Sequence, residues 1–461
     1  MKATVSNEQI VIKDPDTATT DFFKEILSYT DKAKAYQLKR MASNPFQRSS
    51  AYYKQLQKEV KGSILQTNGG GDLIIPSGFT NFLDTLKIKF DDKRKSTGVN
   101  TSYPWANKPL ALRDYQDEAV ELMVNNYRGI INFATGLGKT LVAVHAIRKC
   151  NKKSLVICPS ESIAKQFYDE LVYAFGKNKV GFYGDGKKKI ADITVGIAAS
   201  VNKHVDVFVK HGLGLVIIDE VHHVPAVTFY SIAAGLSHVG KMFGLSATDF
   251  RSDGKDIFIT AGCGHVLIRR DIKWGVANNW LAAPYFIVRH VDTTSQKQFP
   301  YDKLKNYKEH VLNCKEMKDR IKTDMKALLD SGKKVLCLVD QVAHGQELAT
   351  ELGIPFATGQ DKQSQEYVNQ LNNDEINGLV GTDGKVGEGT DTRKVEVLIL
   401  ANFVASKGPV IQALGRGLRL YPGKTKCIVL DYIPTGSDML KRHAYGRIDF
   451  YKEITDKVKV I

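Results

Sequence analysis

Short, almost wholly apolar runs alternate with helix-period segments from about residue 106 onward, and this rhythm constrains the fold more than any other feature. "GIINFAT", "SLVICPS", "ITVGIAA", "LGLVIIDE" and "KMFGLSAT" form a first series; "KKVLCLVD", "NGLVGTD", "VEVLILAN" and "TKCIVLDY" form a second after residue 286. A strand with one wet face alternates apolar and polar residues, whereas a strand apolar throughout needs cover on both faces, as in a parallel sheet flanked by helices. The predicted fold is therefore α/β, with tandem parallel-sheet domains over residues 106–285 and 286–461. The stretch "YDKLKNYKEHVLNCKEMKDRIKTDMKALLDSG" predicts one or two charged helices on the outside of the second domain.

Residues 1–105 carry a different pattern and are expected to form a small mixed α/β accessory domain. "TTDFFKEILSYTDKAKAYQLKRMA" predicts a basic amphipathic helix with Phe22, Ile26 and Leu27 on one side. "SILQTNGGGDLIIPSGF" predicts a hairpin, because two β-rich runs flank an Asn-Gly turn signal. "DDKRKSTGVNTSYPWANKP" mixes charge and turn residues without a period and is expected to be a linker.

Lys and Arg number 65 against 50 Asp and Glu, a net charge of +15. That excess suits a polyanionic partner such as nucleic acid; a solvated basic surface is the alternative. Six cysteines (Cys150, Cys158, Cys263, Cys314, Cys337 and Cys427) are spread singly, which predicts neither a disulfide framework nor a zinc site and points to a reducing compartment. The N-terminus lacks an apolar leader core and no run of 18 apolar residues occurs, so the expectation is a soluble, cytoplasmic protein with no membrane partner.

Several motifs carry chemistry. "INFATGLGKTL" follows an apolar run and opens a helix. In its loop, Thr135, Gly136 and Gly138 are expected to wrap phosphate oxygens with backbone N–H groups. Lys139 adds charge to the β- and γ-phosphates, and the Thr140 hydroxyl can ligate Mg²⁺. The strict pattern wants glycine where Phe133 stands. "LVIIDEVHH" ends an apolar strand in two acids: Asp219 is expected to hold Mg²⁺ through water, and Glu220 to polarise an attacking water. Capping of the next helix is the alternative for that pair. His222 is expected to act as a relay group lying between the two domains. In "ALRDYQDEAV", Gln116 can pair with the adenine edge while Arg113 or Tyr115 packs beside it; a plain amphipathic helix start is the other reading. In "QALGRGLRL", Gln412, Gly415, Arg416 and Arg419 recur at i, i+3, i+4 and i+7, one face of a helix. Two arginines on one face call for an anion opposite.

Taken in order, "LRDYQ", "ATGLGKT", "VICPSESIAKQF", "DEVHH", "GLSATDFRSDG", "VLCLVDQ", "GTDGKVGEGTD" and "QALGRGLR" resemble the helicase motifs of superfamily 2 over residues 110–435. "DEVHHVPA" followed by "GLSATDFRSDG" is most similar to the XPB-type and phage branch-migration (UvsW-type) DNA helicases. Arg251-Ser252-Asp253 stands where XPB-type enzymes carry Arg-Glu-Asp, and the changed middle residue means that the duplex-melting role of that element is not carried over.

The resemblance implies two RecA-like domains with ATP and Mg²⁺ in the cleft between them. Gln412, Arg416 and Arg419 of the second would reach the γ-phosphate, where a delivered arginine can be worth about 10³–10⁵ in rate. It also implies that Gly389 and Asp391 touch the ribose–phosphate region, and that Ser246 and Thr248 couple ATP state to strand movement. Nucleic-acid contacts would come from Pro159 and Ser160, Ser200, Gln341 and Thr382; each could instead be a helix N-cap, Ser160 above all. The implied protein is an ATP-dependent DNA helicase or translocase, a monomer, in the host cytoplasm if viral. It would bind without sequence preference and with strong salt dependence, tracking 3′ to 5′ on branched DNA such as forks and Holliday junctions. The N-terminal residues would grip duplex DNA ahead of the motor. An RNA helicase, a duplex-translocating subunit of a restriction or remodelling complex, and a non-hydrolysing binding module are the rival readings; intact Lys139, Asp219, Glu220, Arg416 and Arg419 argue against the last.

Overall fold

The computed structural model describes every residue except Ser43, Asn44, Ser49, His223, Pro225 and residues 249–254, 300–301, 359–362, 383–391 and 404–406. Arg251, Ser252, Asp253, Gly389 and Asp391 thus lie outside the described residues. The chain divides into two compact units, Met1–Phe133 with Gly138–Arg269, and Ala134–Leu137 with Arg270–Ile461.

The first unit is built on an eight-stranded sheet in the order Lys187–Lys188, Val180–Gly184, Ile193–Ile197, Ser154–Cys158, Leu215–Ile218, Lys241–Ser246, Arg128–Phe133, Val266–Arg270. Neighbours from Val180–Gly184 through Arg128–Phe133 pair in parallel. Every apolar run of the first series forms one of these strands. All residues of Arg128–Phe133 and Ser154–Cys158 are buried, the cover on both faces that their composition demands. The antiparallel edge Lys187–Lys188 is exposed and charged, which blunts further pairing.

A second, five-stranded sheet precedes it, in the order Gln66–Thr67, Leu73–Pro76, Gln9–Lys13, Lys2–Val5, Phe90–Asp92. Gln66–Thr67 and Leu73–Pro76 form the predicted hairpin. The Asn68 side-chain carbonyl accepts the N–H groups of Gly70 and Asp72, and Gly71 supplies φ of 84°. Ile10 and Ile12 are fully buried, each worth about 1.5–3 kcal/mol. They share one apolar cluster with Ile130, Phe229 and Phe258, so the accessory sheet and the large sheet have a common core. The approach is close: a Cβ on Gly78 would stand 1.9 Å from the Thr260 carbonyl oxygen.

Two expectations change here. The single helix expected over residues 19–42 is two, Thr17–Ile26 and Lys32–Ala42, with Ser28–Thr30 between them. Ser28–Thr30 pairs with Lys61–Ser63, a partner distant in sequence, and the buried Asp31 carboxylate then starts the second helix by accepting the N–H groups of Ala33 and Lys34. The expected linker is a strap. The Val99 N–H donates to Gly212, the Tyr103 hydroxyl donates to the Lys152 carbonyl at 2.8 Å, and Trp105 stacks on Phe175 at 5.3 Å. Burial pushes the Tyr103 hydroxyl up to about 12.

The second unit carries a seven-stranded sheet in the order Phe356–Ala357, Gly378–Thr382, Val335–Val339, Val397–Ala401, Lys426–Pro434, Ala283–Val291, Val458–Val460, parallel throughout. The second series supplies four of these strands. Ala283–Val291 was not among the expected runs, because its burial alternates along the strand. The charged segment forms two helices, Lys303–Tyr307 and Lys315–Asp330, joined by a π-turn at Lys308–Leu312. The chain is thus α/β, two tandem RecA-like parallel-sheet domains with a small mixed α/β N-terminal module. All six cysteines are free thiols, and among the described residues no helix is long and apolar enough to cross a membrane.

One polar cluster lies inside the second unit. Arg447 grips Asp431 through Nε at 2.8 Å and Nη2 at 2.9 Å, and the Tyr451 hydroxyl donates to the same carboxylate at 2.8 Å. Removing one partner leaves a buried charge unpaired. Asp431→Ala is expected to cost about 3–5 kcal/mol, whereas Asp431→Ala with Arg447→Met recovers most of that loss. Urea unfolding of both variants checks this; a single-variant loss below about 1 kcal/mol would refute it.

Candidate active site

Strand order assembles the site. In the first unit Ser154–Cys158, Leu215–Ile218, Lys241–Ser246 and Arg128–Phe133 are consecutive neighbours and run parallel. The chain therefore leaves all four at one edge of the sheet, where α/β proteins bind ligands. Pro159 and Ser160, then Asp219 and Glu220, then Thr248, then the phosphate loop stand side by side along that edge. The sequence separates them by up to about a hundred residues.

The loop between Phe133 and Lys139 takes its turn through two left-handed glycines, Gly136 at φ 94° and Gly138 at φ 84°. Lys139 opens the helix Lys139–Cys150, whose first-turn N–H groups have no partner within the helix and suit an anion. Phe133 replaces glycine without harm because it is still the last residue of the strand, buried, with its ring edge-on to Tyr115 at 5.4 Å. Gly138 is required by space as well as by φ: a Cβ there would lie 2.3 Å from the Gln116 side-chain nitrogen. Gln116 is buried, and its side-chain oxygen accepts the Arg113 backbone N–H at 3.0 Å. The Arg113 guanidinium in turn donates to the Tyr115 hydroxyl at 3.0 Å. Arg113 and Gln116 are thus packed under the phosphate loop.

The acid pair follows Leu215–Ile218 directly. Glu220 adopts φ of 41°, a left-handed conformation that costs a non-glycine residue about 1–3 kcal/mol and marks functional sites. Its carboxylate lies 3.1 Å from the Lys139 ammonium and 3.7 Å from His222 Nδ1. The ammonium also donates to the Phe133 carbonyl at 3.3 Å. His222 Nδ1 is 2.8 Å from Ser246 Oγ. A serine hydroxyl has one hydrogen, and Ser246 gives it to the Thr248 carbonyl while accepting the Thr248 N–H. The imidazole is therefore the donor, with its proton on Nδ1. Lys139, Glu220, His222, Ser246 and Thr248 thus form one connected polar chain within the first unit. Asp219 is buried beside them; burial, and after it the Asp219 charge, raises the Cys158 thiol well above its ordinary range.

Thr140, Asp219 and Glu220 offer hard oxygen donors. Among the described residues no group of three or more His, Cys, Asp and Glu could hold a metal by itself. One hydroxyl and one carboxylate fit Mg²⁺, which keeps waters and takes phosphate oxygens as further ligands.

In the second unit Gln412 and Arg416 lie on the helix Lys407–Gly417, and Arg416 is 1% exposed. Arg419 does not extend that helical face, as the spacing implied; the helix ends at Gly417. The Lys424 ammonium caps it there, donating to the Gly417 carbonyl at 2.6 Å and to that of Arg393 at 3.0 Å, and the Leu418 carbonyl turns to accept the Ala282 N–H. Lys424 had no signal in the sequence, since "YPGKTK" reads as a turn. Gly415 has no room for a side chain, because a Cβ would meet that of Thr135 at 2.2 Å. Gly136 faces Arg419, whose Cγ would be 3.3 Å from a Cβ there.

The remaining candidates also sit at or after the ends of parallel strands. Ser160 is at the N-cap position of Glu161–Phe175 without a side-chain cap bond, its hydroxyl 3.2 Å from that of Ser162. Ser200 lies within Ala198–Lys203, its carbonyl 3.1 Å from His204 Nδ1. Gln341 is exposed at the start of Val342–Leu352, and Thr382 ends Gly378–Thr382.

Residues 109–251 match the family model described as type III restriction enzyme, res subunit. Rad25 of Halobacterium salinarum, named as a DNA 3′–5′ helicase, is 26% identical over 353 residues, covering 74% of this chain and 56% of that protein. Probable helicase D10 of Escherichia phage T5 is 28% identical over 449 residues, covering 93% and 91%. The chain spans little more than half the length of the Rad25 relatives it matches. The DNA-bound type ISP restriction–modification enzyme LlaBIII has the same fold, with a TM-score of 0.57 and 16% identity over 83% of this chain and 34% of that one. In sequence the chain resembles superfamily 2 helicases of the Rad25 and XPB type.

Gly138→Ala tests the loop geometry. The added methyl meets the Gln116 amide in a backbone conformation that alanine resists, so affinity for a fluorescent ATP analogue is expected to fall at least about tenfold, the equivalent of 1.4 kcal/mol. Unchanged affinity by fluorescence titration would refute that packing.

Proposed function

We propose that the chain is an ATP-dependent DNA helicase or translocase of superfamily 2 acting on branched DNA, forks and Holliday junctions, in fork remodelling or branch migration. The observation that carries the reading is the polar chain from Lys139 through Glu220 and His222 to Ser246 and Thr248. It links the group that meets phosphate to the strand-end segment whose counterpart in the family answers to ATP state. The relatives named as DNA 3′–5′ helicases support DNA as the track and 3′ to 5′ as the direction.

In this mechanism Lys139, the N–H groups around Gly136 and Gly138, and Thr135 bind the β- and γ-phosphates of ATP, with Arg113 and Gln116 at the base. Thr140 and Asp219 would hold Mg²⁺, which neutralises phosphate charge. Phosphate oxygens compete with Glu220 for the Lys139 ammonium. Released from that pair, Glu220 orients and polarises the attacking water. Because Glu220 also faces the His222 N–H, its release changes the charge beside the His222–Ser246 hydrogen bond. Arg416 and Arg419, with Gln412, add positive charge at the γ-phosphate, and Gly389 and Asp391 complete the nucleotide site by resemblance. Pro159, Ser160, Ser200, Gln341 and Thr382 contact the DNA backbone through hydroxyl and amide groups, which read no sequence.

The matched res-subunit model favours a second reading, a translocase moving on duplex without separating strands. Steady-state ATPase assays with single-stranded DNA, duplex, fork, four-way junction and RNA distinguish these readings. Fork or junction DNA is expected to stimulate most, and Lys139→Ala to lose at least about 10²-fold. Stimulation by duplex alone would favour the translocase, stimulation by RNA alone an RNA helicase, and equal rates with every nucleic acid would sink the motor reading. Ser246→Ala removes three hydrogen bonds of the relay, one with His222 and two with the Thr248 backbone, but no phosphate contact. Strand displacement is expected to fall roughly three- to tenfold with ATP hydrolysis nearly unchanged. An equal fall in both would place Ser246 in hydrolysis rather than coupling.

A further inference from the structure

A helical arm in the N-terminal module differs in chemistry from the rest of the first unit. Its helices are Lys32–Ala42 and Ala51–Glu59, and Ser28–Thr30 pairs with Lys61–Ser63 at its base. No residue of Lys32–Ala42 is buried. Tyr36 on that helix is 70% exposed and Tyr52 on the other is 50% exposed. The Gln37 amide donates to the Tyr52 hydroxyl at 3.0 Å, tying the second ring to the first helix beside Tyr36. Residues Asp31–Lys61 hold eight Lys or Arg against two acids. Both acids are engaged, Asp31 with Lys255 at 2.8 Å and Glu59 with Lys34 at 2.5 Å. Among the described residues, Lys32, Lys39, Lys54 and Lys58 have no acidic partner.

A solvated charged helix needs no explanation, but two large exposed rings among unpaired lysines do. Nucleic acid satisfies both features: phosphates take the ammonium groups and base faces take the rings. Phosphate contact alone treats all DNA alike. Stacking needs unpaired bases, which a branch point offers and a continuous duplex does not. The arm is also anchored where its load would be felt. Tyr29 at its base lies 5.0 Å from the Phe258 ring, and Asp31 holds Lys255, the residue before the helix Asp256–Cys263. Only residues 249–254 separate Lys255 from Thr248.

Building on the reading of the chain as a DNA motor, we infer that the arm is a branch-point reader: its lysines hold DNA phosphates while Tyr36 and Tyr52 stack on unpaired bases at the fork. The test uses the full chain without ATP, an end-labelled fork carrying 2-aminopurine at the branch, and a blunt duplex of the same sequence. Tyr36→Ala with Tyr52→Ala is expected to weaken fork binding roughly five- to hundredfold, to leave duplex binding nearly unchanged, and to abolish the 2-aminopurine response. Tyr36→Phe with Tyr52→Phe keeps the rings and should bind as the parent does. Lys39→Gln, Lys54→Gln and Lys58→Gln together should weaken both DNAs and make the salt dependence shallower by up to about 3 in log–log slope. Parental fork affinity and an intact 2-aminopurine response in the double alanine variant would overturn the inference, as would equal loss for fork and duplex. ATPase stimulation of the parent by the same fork is read separately. Tyrosine-dependent fork binding without stimulation would keep the arm and remove the motor reading; stimulation without tyrosine dependence would do the reverse.

Discussion

The ion pair between Lys139 and Glu220 is the contact from which the rest of the site can be understood. Both side chains are largely out of water, at 10% and 15% exposure, so the attraction is only weakly screened. It forms because Leu215–Ile218 and Arg128–Phe133 flank the same strand, Lys241–Ser246, and all three leave the sheet at one edge. The strained backbone of Glu220 turns its carboxylate towards the lysine instead of letting the chain run straight into the next helix. The middle strand supplies Ser246, which bonds to His222, and the Glu220 carboxylate lies 3.7 Å from that imidazole, so the pair stands at one end of a polar chain rather than alone. A network of this kind responds as a unit when one charge is drawn away.

That arrangement needs a rigid support, and the first unit supplies one that extends beyond the large sheet. The strand that leads into the glycine loop begins at Arg128, which is buried; its guanidinium donates to the carbonyls of Asn7 and Ser237. Burial lowers its pKa to about 10. The same strand therefore touches the N-terminal module at one end and leads into the loop of Gly136 and Gly138 at the other. With the common core and the strap that runs through Val99, Tyr103 and Trp105, this makes the accessory sheet part of the first unit's frame rather than a tethered appendage.

How legible each part was depends on how local its cause is. The parallel strands were readable because a strand covered on both faces must be apolar along its whole length. Gly136 and Gly138 were readable because their conformation excludes most other residues. Ala283–Val291 was missed because its alternating burial carries no such continuous run. The helix over residues 19–42 was over-extended because Ser28–Thr30 is taken into a ladder by Lys61–Ser63, and nothing near it in sequence announces that partner. Arg419 fits a helical spacing in sequence, yet the Lys424 cap stops the helix before it. The strap was unreadable for the same reason: Tyr103 and Trp105 are held by Lys152 and Phe175, far along the chain.

By itself, then, the sequence determined the α/β class, a glycine loop that opens a helix, the acid pair after a buried strand and the superfamily the motifs resemble. These follow from short-range rules of burial, backbone freedom and charge that act within a few residues. Only the tertiary structure decided that Glu220 pairs with Lys139, that His222 donates to Ser246, that Gln116 lies under Gly138, and that Tyr36 and Tyr52 stand exposed on a basic arm. Each of those depends on which strands become neighbours and which surfaces stay uncovered. Strand order and solvent exposure arise from packing the whole chain, so no local pattern encodes them.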